Sequence, residues 1–322
     1  MKLRVATRKS ALALAQTTMA ADAIVAANAD SLTYELVSMT TEGDRRLDKS
    51  LASFGGKGVF IKELEIALLE GRADIAIHSL KDMPAEVLPQ FKLAAVLKRE
   101  DPRDAFLSRG GAAGVRFMDL PAGARVGTGS IRRVVQLKAL RPDLEYVPIR
   151  GNIQTRIGKL AELDGVVLAA AGLKRMGLAD QVTEYFSTEQ VLPASGQGIL
   201  AIETLNDENP QESRGPGRAD LVQILARAND VATFCVASAE MAYLKALNAG
   251  CQFPVASFAE FVDGGSNENA QTLKIRGIYW DEKSSRLLSA ETSGALDLNS
   301  ADSVQQAKNL GIELAREIQK QL

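Results

Sequence analysis

The sequence predicts an α/β protein in which two lobes, each a parallel-type sheet covered by helices, precede a small α+β domain. Short apolar strand patterns alternate with helical patterns from residue 3 to residue 203, and this alternation is typical of such sheets. The phrase Val-x-Thr stands just before a helical pattern twice, at Val5 and at Val126, which favours two similar lobes. Strand patterns and one amphipathic helical pattern fill the end of the chain.

The first lobe is predicted from the elements that precede a polar break at residues 100–104. Its strands are expected at residues 3–6, 33–38, 73–79 and 91–97. Its helices are expected at residues 11–27 and 59–70, the second ending before Gly71. A further strand pattern at residues 199–203 follows a Gly-Gln-Gly turn and is expected to return to this lobe.

The second lobe is predicted from the elements that follow the polar break. Its strands are expected at residues 124–127, 145–149 and 166–170, and its helices at residues 130–140 and 152–163. Residues 206–219 are polar and rich in Gly and Pro, so we expect an exposed loop there.

The last part of the chain is predicted to form a small α+β domain. Two helices are expected within residues 221–247, and strands near residues 255–261, 272–280 and 286–292. The closing helix, Ser303–Gln319, is amphipathic and is expected to pack on this sheet. We therefore place domain 1 at residues 1–99 and 199–220, domain 2 at 104–194 and domain 3 at 229–322.

Composition excludes several classes of protein. The chain has 322 residues, 46% of them hydrophobic, enough for two or three domains with real cores. Its net charge of -2 argues against a general nucleic-acid binder. We see no signal peptide and no apolar run that would span a membrane, so we expect a cytoplasmic protein. Two cysteines cannot build a disulfide framework, and a single histidine argues against a His-rich metal site.

Candidate anion-binding residues follow the predicted strands, at the sheet edge where α/β proteins bind ligands. The stretch 126–133 combines a glycine turn, a helix start and two adjacent arginines, Arg132 and Arg133. Amide groups at a helix start and guanidinium groups both favour carboxylate or phosphate. A related stretch, 5–10, carries Arg8, Lys9 and Ser10. Two such stretches indicate a ligand with several negative charges, held between two lobes.

The strand at residues 73–79 leads into a second group of polar residues. Asp82 follows this strand, so it is a candidate for a buried carboxylate that stabilises a cation or moves a proton. The neighbouring Lys81 could instead make a surface pair with it. His78 is more typical of a hydrogen-bonded structural residue than of a general base. Further basic residues follow later strands at Arg150, Arg156, Lys174 and Arg175.

The two cysteines are predicted to differ in role. Cys251 lies in a turn beside Gly250, where an exposed thiol could be a nucleophile or an attachment point. Cys235 lies in an apolar helical pattern and is expected in the core. Lys57 belongs to a Gly-rich loop that either closes over an anion or is a solvated hinge.

Taken together, these motifs resemble the porphobilinogen deaminase family, also called hydroxymethylbilane synthases. The resemblance covers nearly the whole chain and rests on motifs that occur in the family's order: ATRKS at 6–10, GGKG at 55–58, HSLKD at 78–82, REDPRD at 99–104, TGSIRR at 128–133, RGN at 150–152, AAGLKR at 170–175 and GQG at 196–198. It implies a monomer of three domains, with two lobes like those of periplasmic binding proteins around a cleft. It also implies the stepwise condensation of four porphobilinogen molecules, with loss of ammonia, to hydroxymethylbilane.

The resemblance further assigns a cofactor and residue roles. A dipyrromethane cofactor would hang by a thioether from Cys251, and Asp82 would be catalytic by stabilising an electron-poor, azafulvenium-like species. Cofactor contacts would come from Asp44, Lys57, Ser79, Lys81, Asp82, Thr128, Ser130, Arg132 and Arg133. Porphobilinogen and the growing oligopyrrole chain would be held by Arg8, Ser10, Gln16, Arg150, Arg156 and Arg175. No metal, nucleic acid or membrane is expected.

Some positions depart from the family pattern. Gly129 and Ser53 stand where Ser and Lys are common in the family, and Met241 replaces a frequent Arg. Ser53 lacks the positive charge with which a Lys at this position would contact a carboxylate. Two other functions stay open at this point: a non-catalytic two-lobe anion-binding protein, and an enzyme that binds a phosphate ligand at the turn before Arg132.

Overall fold

The fold is described from a computed structural model, in which residues 1–28, 32–40, 61–206, 218–249, 253–262 and 271–322 are described. The strands are β1 Lys2–Arg8, β2 Thr33–Met39, β3 Ile75–Ser79, β4 Phe91–Val96, β5 Asp104–Ser108, β6 Arg125–Gly127, β7 Glu145–Val147, β8 Gly165–Ala169, β9 Glu184–Tyr185, β10 Leu200–Leu205, β11 Val255–Val262, β12 Gln271–Asp281 and β13 Arg286–Leu296. The helices are α1 Ala11–Ala26, α2 Lys62–Leu69, α3 Ile131–Leu140, α4 Ile153–Gly158, α5 Ala170–Arg175, α6 Arg218–Ala228, α7 Val231–Ala246 and α8 Ser303–Gln319.

The first compact unit comprises residues 1–99 and 199–235 and is built on a five-stranded sheet. The strand order is β2-β1-β3-β10-β4. Strands β2, β1 and β3 are parallel, whereas β10 runs antiparallel to both of its neighbours. Alternate residues of each strand enter two cores, because successive side chains point to opposite faces. One core includes residues of α1 and α6, and the other includes residues of α2.

The second compact unit comprises residues 100–198 and 236–322 and contains two sheets. Its five-stranded sheet has the order β7-β6-β8-β5-β9, with β6 parallel to β7 and β8 and with β5 antiparallel to its neighbours. This repeats the strand directions of the first unit's sheet. Phe106 and Phe186 each pack edge to face against Phe117 in one of its cores, with centroids 5.5 and 5.2 Å from that of Phe117.

The other sheet of the second unit is the antiparallel meander β11-β12-β13, on which α8 packs. Glycines permit the close approach of these elements. A Cβ added at Gly311 of α8 would lie only 2.1 Å from the carbonyl oxygen of Ala239 in α7. A Cβ added at Gly277 would meet the ring of Tyr243, whose hydroxyl donates to Ile278 O at 3.0 Å. The expectation that the closing helix packs on this sheet is confirmed.

Most predicted elements are confirmed within a few residues, and the two-lobed α/β class with a small α+β end is confirmed as well. Three elements were missed: β5, β9 and α5. The predicted helix at 152–163 is shorter, because α4 passes into a 3-10 turn at Lys159–Ala161. The expectation of parallel-type sheets was incomplete, since β10 and β5 are inserted antiparallel into the two sheets.

The strand β5 was missed because its first residue is charged and lies in the polar break. Asp104 nevertheless has no exposed surface, and all five residues of β5 are buried. Pairing with β8 and β9 supplies the backbone hydrogen bonds that make this short segment a strand. No helix in the described ranges is long and apolar enough to cross a bilayer.

Candidate functional site

A pocket opens in the first unit where β1 and β3 end and α1 begins. Arg8, Ser10 and Gln16 line it from a first segment, the end of β1 and the start of α1. His78, Ser79 and Asp82 line it from a second segment, the end of β3 and the turn that follows. Ser10 is the N-cap of α1, and its hydroxyl accepts a hydrogen bond from Ala13 N at 3.3 Å. The Ser79 hydroxyl donates to Gln16 Oε1 at 3.1 Å. The two segments are therefore tied together at the pocket.

Asp82 is exposed at the edge of this pocket, on a 3-10 turn that follows β3. The turn is anchored by Leu80, whose side chain is buried and whose N–H donates to Ile199 O at 3.0 Å. Because Leu80 takes the inward position, Asp82 faces outward two residues later. The expectation of a buried carboxylate at Asp82 is therefore wrong in this structure. Lys81, on the same turn, is half-buried.

His78 borders the same pocket and is bonded on its other side to a buried acid. Its Nε2 lies 2.9 Å from Oε2 of Glu203 in β10, and the two side chains are 5% and 1% exposed. The expectation of a hydrogen-bonded histidine is confirmed. The partner could not be identified from the sequence, since 125 residues separate it from His78.

In the second unit, the twin arginines of α3 converge on one carboxylate. Nη2 of Arg132 lies 2.8 Å from Oδ2 of Asp104, and Nη2 of Arg133 lies 2.7 Å from Oδ1. Both guanidinium groups also donate to backbone carbonyls, those of Leu192 and Val167. All three charged side chains are nearly or fully buried. Burial by itself would raise the pKa of Asp104, but the charges of Arg132 and Arg133 bring it well below its usual range.

This cluster carries more positive than negative charge. Two guanidinium groups share one carboxylate, and Nε of Arg133 is buried with no hydrogen-bond partner among the described residues. Just before α3, Thr128 is buried and its hydroxyl accepts from Ser130 N at 3.3 Å. The Ser130 side chain makes no capping hydrogen bond within the described part of the chain. An anionic group would therefore find a positive charge and spare donors here.

The remaining basic candidates of the second unit differ in exposure. Arg150 is exposed, whereas Arg156 is half-buried and its Nε donates to Gly151 O at 2.8 Å. Arg175 donates through Nη2 to Gly198 O at 2.6 Å, and burial lowers its pKa to about 10. Nε of Arg175 is buried without a hydrogen-bond partner among the described residues. Lys174, by contrast, pairs with Asp101 at 3.0 Å.

Three predicted site residues, Asp44, Lys57 and Cys251, lie outside the described ranges, as does Ser53, which stands where the family often has Lys. The other cysteine, Cys235, is buried in α7 as expected. Gly129 stands where the family often has Ser. A Cβ at this position would lie 2.7 Å from the carbonyl oxygen of Ile149, so glycine avoids a close backbone contact. Met241 is half-buried in α7.

Sequence reasoning missed three residues that support these sites. Asp104 was recognised only as part of a motif, Gln197 only as part of a turn, and Glu203 only as the end of a strand. Gln197 Nε2 donates to Oδ1 of Asp104 at 2.9 Å, which links the Gly-Gln-Gly turn to the twin arginines. For Glu203 the available signal was a charged residue inside an apolar strand pattern, since such a charge requires a partner when it is buried. Asp104 and Gln197 gave no such signal.

Solved structures to which the fold is similar include two from Bordetella pertussis. The periplasmic VFT2 domain of BvgS gives a TM-score of 0.36 at 14% identity, with 70% of this chain and 86% of that chain covered. An extracytoplasmic solute receptor that binds pyroglutamic acid gives a TM-score of 0.38 at 13% identity, with coverage of 71% and 78%. We draw no conclusion from similarities of this size.

Curated relatives, in contrast, are similar over nearly the whole chain. A porphobilinogen deaminase of Syntrophus aciditrophicus is 45% identical over 320 residues, which cover 98% of this chain and 94% of the relative. A porphobilinogen deaminase of Sorangium cellulosum is 45% identical over 321 residues, with 99% of both chains covered.

Two family models account for most of the sequence. Residues 3–213 match the model described as porphobilinogen deaminase, dipyromethane cofactor binding domain. Residues 234–320 match the model of the porphobilinogen deaminase C-terminal domain. The first match covers both groups of candidate residues described above, and it confirms the expected dipyrromethane cofactor. The chain therefore belongs to the porphobilinogen deaminase family, whose members are enzymes of tetrapyrrole synthesis.

Proposed function

We propose that this chain is a transferase that condenses four porphobilinogen molecules head to tail on a dipyrromethane cofactor bound to Cys251. Ammonia is released at each step, and hydrolysis then frees the linear tetrapyrrole hydroxymethylbilane while the cofactor stays attached. Family membership supports this reaction. The observation that carries the assignment of the cofactor site is the buried Arg132–Asp104–Arg133 cluster, which holds two cations against one anion.

The cofactor fits the residues present, because its acetate and propionate groups are anions. In this proposal Arg132, Arg133, Thr128 and Ser130 bind these carboxylates. The buried Nε of Arg133, which has no hydrogen-bond partner within the described ranges, is a donor for this contact. Asp104 keeps both guanidinium groups in place through its two oxygens. When bound, the cofactor supplies the pyrrole from which the chain grows.

Asp82 is the proposed catalytic residue. Its carboxylate is exposed at the edge of the first unit's pocket and can therefore reach a bound ligand. We assign it to stabilising the positive charge that develops on the porphobilinogen ring as ammonia leaves, and to moving the proton that the condensation releases. Ser79 and Lys81, on either side of the buried Leu80, are assigned to cofactor contacts.

Porphobilinogen and the growing chain are assigned to the basic residues of both units. Arg8, Ser10 and Gln16 line the pocket of the first unit. Arg150, Arg156 and Arg175 are assigned from the second unit. Nε of Arg175, like that of Arg133, is buried without a hydrogen-bond partner among the described residues and is therefore a spare donor. Asp44 and Lys57 are proposed as further cofactor contacts.

We also propose a division into three domains, with domain 1 at residues 1–99 and 199–220, domain 2 at 104–194 and domain 3 at 229–322. The presence of two different sheets in the second compact unit supports this division. We propose a cytoplasmic monomer, in line with the family resemblance. Light scattering after size exclusion would then give a mass near 34.5 kDa.

The first experiment is the intact mass of the purified protein beside two matched variants. We expect the parent to exceed its sequence mass by two linked pyrrole units. Cys251→Ala should lose this excess, and Cys235→Ala, the matched control in the core, should keep it. Adding porphobilinogen to any protein of bare mass distinguishes an apo-protein from one without the site. If no adduct forms and no porphobilinogen is consumed, the proposed function is wrong and a non-catalytic anion-binding protein replaces it.

A further inference from the structure

Two titratable side chains of the first unit form a pair that the proposed mechanism does not use. In the antiparallel register of β3 and β10, His78 lies opposite Ala201. Glu203, two residues further, therefore lies diagonally across on the same face of the sheet. The distance of 2.9 Å between His78 Nε2 and Glu203 Oε2 makes this a direct hydrogen bond.

Glu203 is a buried carboxylate with one hydrogen-bonded oxygen and one oxygen without a hydrogen-bond partner among the described residues. Its side chain is 1% exposed, and its Oε1 is buried with no hydrogen-bond partner in the described ranges. A buried oxygen left in this state is costly and calls for an explanation. Among the described residues, the bond to His78 Nε2 is the one hydrogen bond that holds this carboxylate.

A third acid, Glu65, interacts electrostatically with this pair. Glu65 lies on α2, which packs on the same face of the sheet as Ala76. Burial raises the pKa of Glu65, the charge of Glu203 raises it further, and His78 lowers it. Glu65 thus interacts electrostatically with both members of the pair. Because Glu65 is only half-buried, it can exchange protons with water.

On its other side, His78 lines the pocket that contains Asp82 and Arg8. Apart from Glu65 and Glu203, the charged residues on the described elements packed against β3 are Lys2, Arg4 and Arg8 of β1, Asp22 of α1, Lys62 and Glu63 of α2, and Lys81 and Asp82 of the following turn. Of these, Arg8 and Asp82 share the pocket with His78.

We propose that His78 accepts a proton from the ligand pocket, and that Glu203 is a positioning residue that fixes the tautomer of His78 and stabilises its charged form. The inference rests on the proposed function, which removes one proton from a pyrrole carbon at each condensation. Asp82 takes that proton and passes it to Nδ1 of His78 within the pocket that both residues line. The Nε2–H stays bonded to Glu203, and the imidazolium then releases the Nδ1 proton to water in the pocket, which restores the starting tautomer. No bond other than those to the proton changes in this transfer.

The protein itself allows a direct test, because His78 is its single histidine. After labelling with 15N-histidine, tag-free protein should give one imidazole signal set by NMR. We expect the neutral ring to carry its proton on Nε2, the atom that faces Glu203. Glu203→Gln should change the ring's titration and its tautomer populations. A parent ring protonated on Nδ1, or one that Glu203→Gln leaves unchanged, would overturn the inference.

Kinetics supply a readout that a purely structural role would not move. Glu203→Gln should lower kcat by about a hundredfold, the low end of what a positioned proton-transfer group contributes, with KM little changed. Glu203→Asp should recover part of this loss. Glu65→Gln should move the pH profile of kcat with a smaller effect on its maximum. If both Gln variants keep the parent's kcat and pH profile, the inference is wrong.

A matched control removes another carboxylate of the same unit. Asp74 accepts a hydrogen bond from Arg4 at 2.6 Å, and it does not line the pocket of Asp82. Asp74→Asn should keep the parent's kcat and pH profile. If Glu203→Gln does not fold, the double variant His78→Gln, Glu203→Gln replaces it. Its two amide side chains can still hydrogen-bond each other, and its kcat should fall by the amount expected for Glu203→Gln. The NMR test on the parent needs no turnover, so its result separates this inference from a failure of the proposed function.

Discussion

Replacing Asp104 by Asn should destabilise the second unit strongly. The substitution removes the only negative charge in the cluster formed by Arg132, Arg133 and Asp104 among the described residues, while it keeps the size of the side chain. Both guanidinium groups are about 5% exposed, so water cannot replace the lost carboxylate. Breaking a buried ion pair from one side costs about 3–5 kcal/mol. We expect a loss in this range, at its lower end, because each arginine keeps one backbone carbonyl.

Urea denaturation followed by far-UV circular dichroism measures this effect, because its signal includes the helices and strands around Asp104. The transition midpoint should fall while the slope of the unfolding free energy with urea stays constant. The control is Glu145→Gln, which breaks an exposed pair with Arg125. Its effect should be much smaller, since exposed pairs contribute little.

A double-mutant cycle tests the cause of the loss. If Asp104→Asn destabilises by leaving charge unpaired, then adding Arg133→Met should restore part of the stability, because one uncompensated cation disappears. The reasoning would be refuted if Asp104→Asn cost less than about 1 kcal/mol, the range of exposed pairs. It would be refuted equally if the losses of the two variants simply added.

The other predictions concern activity, acid stability and packing. Asp82→Asn should still bind porphobilinogen in a calorimetric titration but almost stop turnover; near-normal turnover would contradict the catalytic role of Asp82. Asp101 has a pKa of about 2, because its bonds to Arg103 and Lys174 outweigh the effect of burial. Its contribution to stability should be complete above pH 4 and should fall as the pH drops towards 2, so Asp101→Asn should flatten the acid side of a Tm-against-pH curve. Gly311→Ala should lower Tm by several degrees, since its Cβ would overlap a backbone oxygen; an unchanged Tm would mean that α7 and α8 can move apart freely.

The sequence by itself predicted the helices and strands whose patterns are local. The strands that begin at Lys2, Phe91 and Val255, and the helices that begin at Ala11 and Ser303, lie within a few residues of their predicted positions. The spacing of their apolar residues, and the glycine and polar residues at their ends, are sufficient for such a prediction. The turn and helix start before α3 were equally readable, since β6 ends at Gly127 and α3 begins at Ile131; anion binding there stays a prediction.

What the tertiary structure alone decided depends on contacts between distant parts of the chain. Only the strand order could place β10 antiparallel between β3 and β4 and thereby bring Glu203 to His78, 125 residues away. Likewise, the pairing of Asp104 with Arg133 spans 29 residues and turns an apparent loop residue into a buried partner of the twin arginines. No local pattern encodes such contacts, because burial removes water from a charged group only once the sheets are assembled, and the choice of its partner follows from that assembly.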